Sequence, residues 1–239
     1  PLVNAMADVR LGCGEAANRW MYGKRESVVI KNGIDTCLYR FDATTRIQVR
    51  KELGIGDEVT VIGHVGGYNR QKNQQMLMYI LKAIEAKNPS KDFCLISVGR
   101  GHTQKDVEQL ASKLGVDGKV RFLGQRTDVP KLLNAMDMFF LPSLFEGFPI
   151  VAIEAQTAGL PLVIADTISK EVELTNLVHW LPIDKGAEVW AEKYYQIAHT
   201  KVNRVQYAPI VERKGFDARH SAQILQDIYV KNILRNENS

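Results

Sequence analysis

From Val59 onward the chain repeats one pattern: a short, continuously apolar run, a glycine or polar loop, then a helical segment. The runs are EVTVIGHVG (58–66), DFCLISVG (92–99), KVRFLG (119–124), MFFLP (138–142), LPLVIA (160–165) and LVHWLP (177–182). Runs that are apolar at every position, rather than at every second one, belong to strands covered on both faces, and such strands occur in parallel sheets. Helical patterns fill the gaps. In QKNQQMLMYILKAIEAKN, Met76, Leu77, Ile80, Leu81 and Ile84 share one face. Residues 104–114 read as a helix stopped by Gly115. Residues 129–136 read as one capped by Asp128, and further helices are expected near 169–173, 186–199 and 217–235, the last with Asp217 as its N-cap. The pattern predicts an α/β fold, a Rossmann-like parallel sheet of about six strands with helices on both faces.

Ligands in such sheets bind beyond the carboxyl ends of the strands, near the point where strand order reverses. The polar and glycine-rich segments fall there: 66–73, 99–102, 124–128 and 143–148. In the last of these the chain leaves the strand MFFLP, crosses a short loop and meets Pro149, which suits a first helical turn. The N–H groups opening that helix have no partner and carry the positive end of its dipole, the geometry of an anion site. Glu146 in the loop and Glu154 inside the helix flank the turn. Carboxylates there can accept from sugar or ribose hydroxyls; a turn cap and a solvated helix residue are the plainer alternatives. In the loop GGYNRQKN, glycines admit a ligand close to the backbone, and Arg70 and Lys72 supply charge.

The rest of the chain bounds the reading. Lys and Arg number 31 against 27 Asp and Glu, a net charge of +4, too mild to call for nucleic acid. Cys13, Cys37 and Cys94 form neither a disulfide framework nor a zinc spacing, which predicts a reducing compartment. No apolar run reaches spanning length, and no secretory leader pattern opens the sequence. The five histidines have no metal-ligand spacing and Asp-x-Asp does not occur. A dinucleotide fingerprint would need G-x-G-x-x-G after the first strand, and GHVGGYNRQKN lacks it. Before Val59 lie an apolar stretch at 5–13, a helix in GEAANRWMYGKRE, the strand and Asn-Gly turn of SVVIKNGID, a linker over 35–45 and a helix in RIQVRKELGI.

The segment E-G-F-P-I-V-A-I-E, from Glu146 to Glu154, resembles the E-x7-E motif of the retaining glycosyltransferases of family four, which have the GT-B fold. N-G-I-D at 32–35 resembles that family's crossing from the N-terminal to the C-terminal domain, and VGRG at 98–101 resembles its V-G-x-G turn. The likeness covers nearly the whole chain from Ala5 and is nearest to bacterial enzymes that build capsular, exopolysaccharide or lipopolysaccharide glycans. It implies the C-terminal half of a GT-B enzyme: residues 1–38 as the tail of an acceptor domain and the crossover, 39–215 as the nucleotide-sugar domain, and 216–239 as a helix packing back on the acceptor domain, its apolar side carried by Ile224, Leu225, Ile228 and Ile233.

The resemblance implies roles residue by residue. Glu146 is the catalytic carboxylate beside the donor-sugar hydroxyls, and Glu154 holds the ribose. Backbone N–H groups of Gly147, Phe148, Ile150 and Val151 serve sugar and diphosphate. Lys72 holds the diphosphate, Gly99 lines the nucleotide, and Gln125 and Arg126 reach the base. The family arginine of V-G-R-x-x-x-Q-K falls on Gly67, with Arg70 one turn away as its substitute. The implied parent is a metal-independent retaining hexosyltransferase with no cofactor. It moves a sugar from a nucleotide-sugar, a UDP-sugar by family frequency, to a glycan or lipid-linked acceptor in the cytoplasm at the inner membrane face, with peripheral membrane contact. Without its N-terminal domain the chain alone is expected to bind donor and not turn over. The alternative is a non-catalytic nucleotide-sugar-binding module, or one half of a two-chain transferase.

Overall fold

The computed structural model describes residues 7–90 and 92–237, without the side chains of Ala16 and of 233–237; Ala5 and the Ile233 side chain, named above, lie outside the described residues. The elements in order are β1 (Leu11–Gly12), α1 (Glu15–Tyr22), β2 (Val28–Val29), α2 (Thr36–Tyr39), α3 (Ala43–Glu52), β3 (Thr60–Val65), α4 (Gln74–Lys87), β4 (Phe93–Val98), α5 (Gln104–Leu114), β5 (Val120–Phe122), α6 (Val129–Ala135), β6 (Met138–Leu141), α7 (Ile150–Thr157), β7 (Leu162–Ala165), β8 (Val178–Leu181), α8 (Ala187–Ala198), α9 (Tyr207–Val211) and α10 (Ala218–Glu237). β3 to β8 form one sheet in the order β5-β4-β3-β6-β7-β8, with every neighbouring pair parallel. This is the expected six-stranded α/β sheet.

Its core is the set of apolar runs read from the sequence. Val61, Ile62, Leu95, Ile96, Phe139, Phe140, Val163 and Ile164 are buried, each contributing about 1.5–3 kcal/mol. The far end of the sheet is closed by arginines: Arg46, Arg50 and Arg204 donate to carbonyls at the end of α6, and Arg46 and Arg50 also pair with Asp137.

Three expectations change. The stretch 35–45 is no plain linker. Asp35 Oδ1 accepts from the N–H groups of Cys37 and Leu38 at 3.0 and 3.1 Å and so starts α2, and Asp42 caps α3 in the same way. Asp128 stands at the start of α6 without capping it; its carboxylate takes both arms of Arg126, at 2.8 and 2.7 Å. Between α8 and α10 the chain adds α9 and a π-helical segment, Glu212–Phe216, turned by Gly215 at φ 79°.

β3 sits where the strand order reverses. It pairs with β4 over six residues but with β6 over only two, Ile62 with Met138 and Gly63 with Phe139. Beyond that point β3 and β6 part. His64 continues the contact by its ring, Nδ1 donating to the Phe140 carbonyl at 3.0 Å. The loops that follow the two strands meet there, at the carboxyl ends where such sheets bind ligands.

Candidate functional site

The loop after β3 and the loop after β6 are joined by hydrogen bonds. Gln71 Nε2 donates to the Phe145 carbonyl (2.9 Å), and the Leu144 N–H donates to the Gln71 carbonyl (2.8 Å). Asn73, held left-handed at φ 54°, donates from its amide to the Pro142 carbonyl (3.1 Å). The Lys72 N–H is held by Asn69 Oδ1 at 2.9 Å. These bonds bring together two side chains 74 residues apart: Lys72 Nζ lies 2.5 Å from Glu146 Oε2. The other carboxylate oxygen accepts from Ser143 Oγ at 2.5 Å. The Glu146 side chain is 7% exposed and that of Lys72 is 19%. Glu146 is further fixed by its carbonyl, which accepts from Ser169 N–H, and Thr167 Oγ1 donates to the Ser143 carbonyl. A cation and an acceptor-only carboxylate thus share one point at the strand switch.

The glycines divide into two kinds. Gly99 has φ 139°, and a Cβ there would lie 2.0 Å from the Gly66 carbonyl oxygen; at Gly101 it would lie 2.1 Å from that of Tyr68. The G-x-G turn is therefore needed for the loop after β4 to pack against the loop after β3, whatever it lines. Gly147 is open, and a Cβ there would meet no heavy atom within 4 Å. Gly67 also has room: the nearest atoms to a Cβ are the Arg100 carbonyl oxygen at 3.7 Å and Asn69 Nδ2 at 3.9 Å. Nothing local forbids an arginine there.

α7 begins after Pro149, one residue later than proline at the first helical position would give. The N–H groups of Ile150 and Val151 have no partner inside the helix. Ala152, Ile153, Ala155, Gln156 and Thr157 are buried, while Ile150, Val151 and Glu154 stay partly open on the remaining face. Tyr39 of α2 and Glu154 of α7 lie close enough for each to perturb the ionisation of the other. Burial raises the pKa of Glu154, and the nearby tyrosine hydroxyl lowers it in part. Burial and the neighbouring carboxylate raise that of Tyr39, so its hydroxyl keeps its proton. Phe148 stacks on Phe216, centroids 5.7 Å apart, and lines a cleft with Cys13, Lys31, Arg213 and Phe216.

The remaining expected residues stand apart from the Lys72–Glu146 pair in their contacts. Arg70 is exposed and lines a hollow with Asn73, Gln74 and Thr103. Gln125 is exposed, and Arg126 is engaged by Asp128. His64, fully buried behind Lys72, has its pKa pushed down to about 4 by burial, and so it is neutral at pH 7. Among the described residues no group of three or more His, Cys, Asp or Glu could hold a metal ion, and no helix is long and apolar enough to cross a membrane. Sequence reasoning missed Tyr39, Ser143 and Thr167. An Asp35 cap ahead of Thr36–Tyr39 was the available signal for the first.

Known proteins share this sequence pattern and fold. The family described as "Glycosyl transferases group 1" matches residues 59–198, more than half of the chain. The EpsF protein of Bacillus subtilis (strain 168), named as a glycosyltransferase, is 31% identical over 235 residues, covering 95% of this chain and 61% of its own length. The Escherichia coli UDP-Gal:alpha-D-GlcNAc-diphosphoundecaprenol alpha-1,3-galactosyltransferase is 33% identical over 141 residues, 58% of this chain and 36% of that protein. The chain thus spans about three fifths or less of the length of these relatives. Among solved structures, Anabaena HepE in complex with UDP superposes with a TM-score of 0.77 at 24% identity, covering 96% of this chain and 65% of that one. WaaG, described as a glycosyltransferase involved in lipopolysaccharide biosynthesis, gives 0.66 at 21% identity over 85% of this chain and 57% of that one. These two likenesses concern the fold. The chain belongs to the group 1 glycosyl transferases.

Proposed function

We propose, from that membership, that this chain is the nucleotide-sugar-binding part of a retaining, metal-independent glycosyltransferase that uses a UDP-sugar. The acceptor is a glycan or a lipid-linked glycan of surface polysaccharide synthesis, met at the cytoplasmic face of the membrane and held by a further N-terminal domain. The observation that carries the reading is the juxtaposition of Lys72 and Glu146 at the strand switch. A departing nucleoside diphosphate gains negative charge on its β-phosphate, and charge stabilisation is commonly the largest catalytic term. Lys72 and the open N–H groups of α7 supply that charge where other transferases use a cation. Glu146 accepts hydrogen bonds from the donor-sugar hydroxyls and orients the ring. Glu154 accepts from the ribose hydroxyls. A uridine nucleotide is favoured by the UDP complex of HepE and by the UDP-Gal in the name of the E. coli galactosyltransferase.

The test is calorimetric titration with UDP, UDP-glucose, GDP and NAD in metal-free buffer, repeated on Glu154→Ala. Binding of UDP and its sugar, weakened by the substitution, supports the reading; binding of NAD alone ends it. One observation favours a second reading, a module that binds the donor without transfer: Gly67 stands where the family has an arginine, removing one of two diphosphate cations. Turnover on supplying an N-terminal domain from a relative decides between them.

A further inference from the structure

The loop that carries Glu146 is held at its far end by an aromatic pair. Glu146 itself is fixed by Lys72, Ser143 and the Ser169 N–H. Gly147 follows, with no heavy atom within 4 Å of a Cβ there, and among the described residues the N–H groups of Gly147 and Phe148 have no hydrogen-bond partner. A glycine without contacts leaves the peptides on either side of it free to turn, so their direction is set by the next residue that is held. That residue is Phe148, whose ring stacks on Phe216 with centroids 5.7 Å apart and planes 8° from parallel. Phe216 is fixed in turn where two distant chain segments meet. It is buried, its carbonyl accepts from the Ile34 N–H at 2.9 Å, and the Ala218 N–H donates to the Ile34 carbonyl at 2.9 Å. The segments run so close that a Cβ at Gly33 would lie 2.7 Å from the Asp217 carbonyl oxygen. Lys31 Nζ stands 4.9 Å from the centre of the Phe216 ring and donates to the Lys214 carbonyl at 2.7 Å.

A loop ordered before its ligand arrives opposes binding less than one the ligand must order. We propose that Phe216 is a positioning residue for donor-sugar recognition: its ring holds that of Phe148 and so aims the N–H groups of Gly147 and Phe148 at the sugar hydroxyls. The inference rests on the reading of this site as a nucleotide-sugar site, with the two N–H groups beside Glu146 facing the sugar and those opening α7 facing the diphosphate. α7 is seated by its own buried residues, Ala152, Ile153, Ala155 and Gln156. Releasing the Phe148 ring therefore turns the sugar-facing peptides and leaves the diphosphate end in place. Phe216 ties affinity for the sugar, and not for the nucleotide, to the paired segments at Ile34 and Ala218.

The experiment measures dissociation constants of UDP, UDP-glucose and UDP-galactose on the wild-type chain, Phe216→Leu, Phe148→Leu and the double variant, with the thermal midpoint of each. The UDP-sugar that the wild type binds more tightly is the one compared. Phe216→Leu should weaken that UDP-sugar about three- to tenfold, the worth of an aromatic pair, and leave UDP within about twofold. Phe148→Leu removes the same stack from the other side and should do the same, and the double variant should lose no more than either alone. Equal weakening of UDP and UDP-sugar by Phe216→Leu, weakening of neither, or additive losses in the double variant overturns the inference while the reading of the site stands. A wild type that binds neither UDP nor a UDP-sugar overturns that reading and the inference with it. If Phe216→Leu lowers the thermal midpoint, Phe216→Met is measured in its place. It refills the buried volume without a flat ring, and it must show the same selective loss for the inference to hold.

Discussion

Replacing Glu146 by glutamine should tighten UDP binding, although Glu146 is the residue assigned to the donor sugar. In the structure Lys72 is already engaged by the carboxylate at 2.5 Å, in a place where the two side chains are 19% and 7% exposed. A diphosphate must draw Lys72 away from Glu146 or share it. Two unit charges about 4 Å apart attract by about 4 kcal/mol at an effective dielectric of about 20. Desolvation cancels much of that, and charged hydrogen bonds contribute about 1.5–3 kcal/mol net. Releasing roughly half of the net value, about 0.75–1.5 kcal/mol, raises UDP affinity about four- to tenfold, since tenfold corresponds to about 1.4 kcal/mol. Glutamine keeps the shape and an acceptor for Ser143 Oγ, so the loop stays in place. It lacks the charge that strengthens bonds from sugar hydroxyls, and UDP-glucose should not share the gain. The assay is isothermal titration of wild type, Glu146→Gln, Lys72→Met and the double variant with UDP and UDP-glucose at fixed ionic strength. Lys72→Met should weaken UDP at least tenfold, and adding Glu146→Gln to it should bring nothing back. If Glu146→Gln weakens UDP or leaves it unchanged, the ion pair does not compete with the diphosphate and the reasoning fails.

Three further outcomes follow from particular contacts. Gly67→Arg should tighten UDP about tenfold with an unchanged thermal midpoint, because a Cβ there meets nothing nearer than 3.7 Å; no gain in a titration would mean that position 67 does not face the diphosphate. Gly99→Ala should cost several kcal/mol in urea unfolding, since its Cβ would lie 2.0 Å from a carbonyl oxygen at φ 139°, whereas Gly147→Ala, in open space, should stay within about 0.5 kcal/mol. His64 binds its proton less readily folded, with a pKa of about 4, than unfolded at 6.5. Its contribution is fully present above pH 6.5 and is lost as pH falls toward 4. Between pH 7 and 5 that loss amounts to about 2 kcal/mol, so the gap between wild type and His64→Asn in urea unfolding should shift by that amount, and a constant gap would refute the assignment.

What could be read from the sequence, and what could not, divides along a physical line. The sheet was legible because burial on both faces forces continuous apolar runs, and Phe139, Phe140, Val163 and Ile164 had no other use for their side chains. Lys72 and Glu146 were legible as residues of one crevice because each follows a strand flanking the switch point, and strand order alone brings such loops together. Their ion pair was not legible: it depends on Gln71, Asn73 and Leu144 joining the loops, and each of these reads as an ordinary polar or apolar loop residue. Arg126 shows the converse. A basic residue at a strand end reads as a ligand contact, yet the aspartate two residues on, read as a helix cap, already takes both of its donor arms.

Lys72 shows why motif reading stops short of the site it finds. Glu146 and Glu154 can be named from their own neighbourhood, since a strand, a turn and a helix start lie within a dozen residues. What each carboxylate can accept depends on which donors already hold it, and the donor that holds Glu146, Lys72, arrives from 74 residues away. The two carboxylates differ in kind. A lysine must exchange its carboxylate for phosphate when the donor binds, so it sets affinity through competition. Glu154, read as the ribose acceptor, offers its lone pairs directly and so adds to affinity. Removing the acceptor should therefore act in opposite directions on UDP: tighter with Glu146→Gln, weaker with Glu154→Gln. Two isosteric substitutions in one motif, measured with one ligand, separate competition from direct recognition, and the same sign for both would mean that at least one of these proposed roles is wrong.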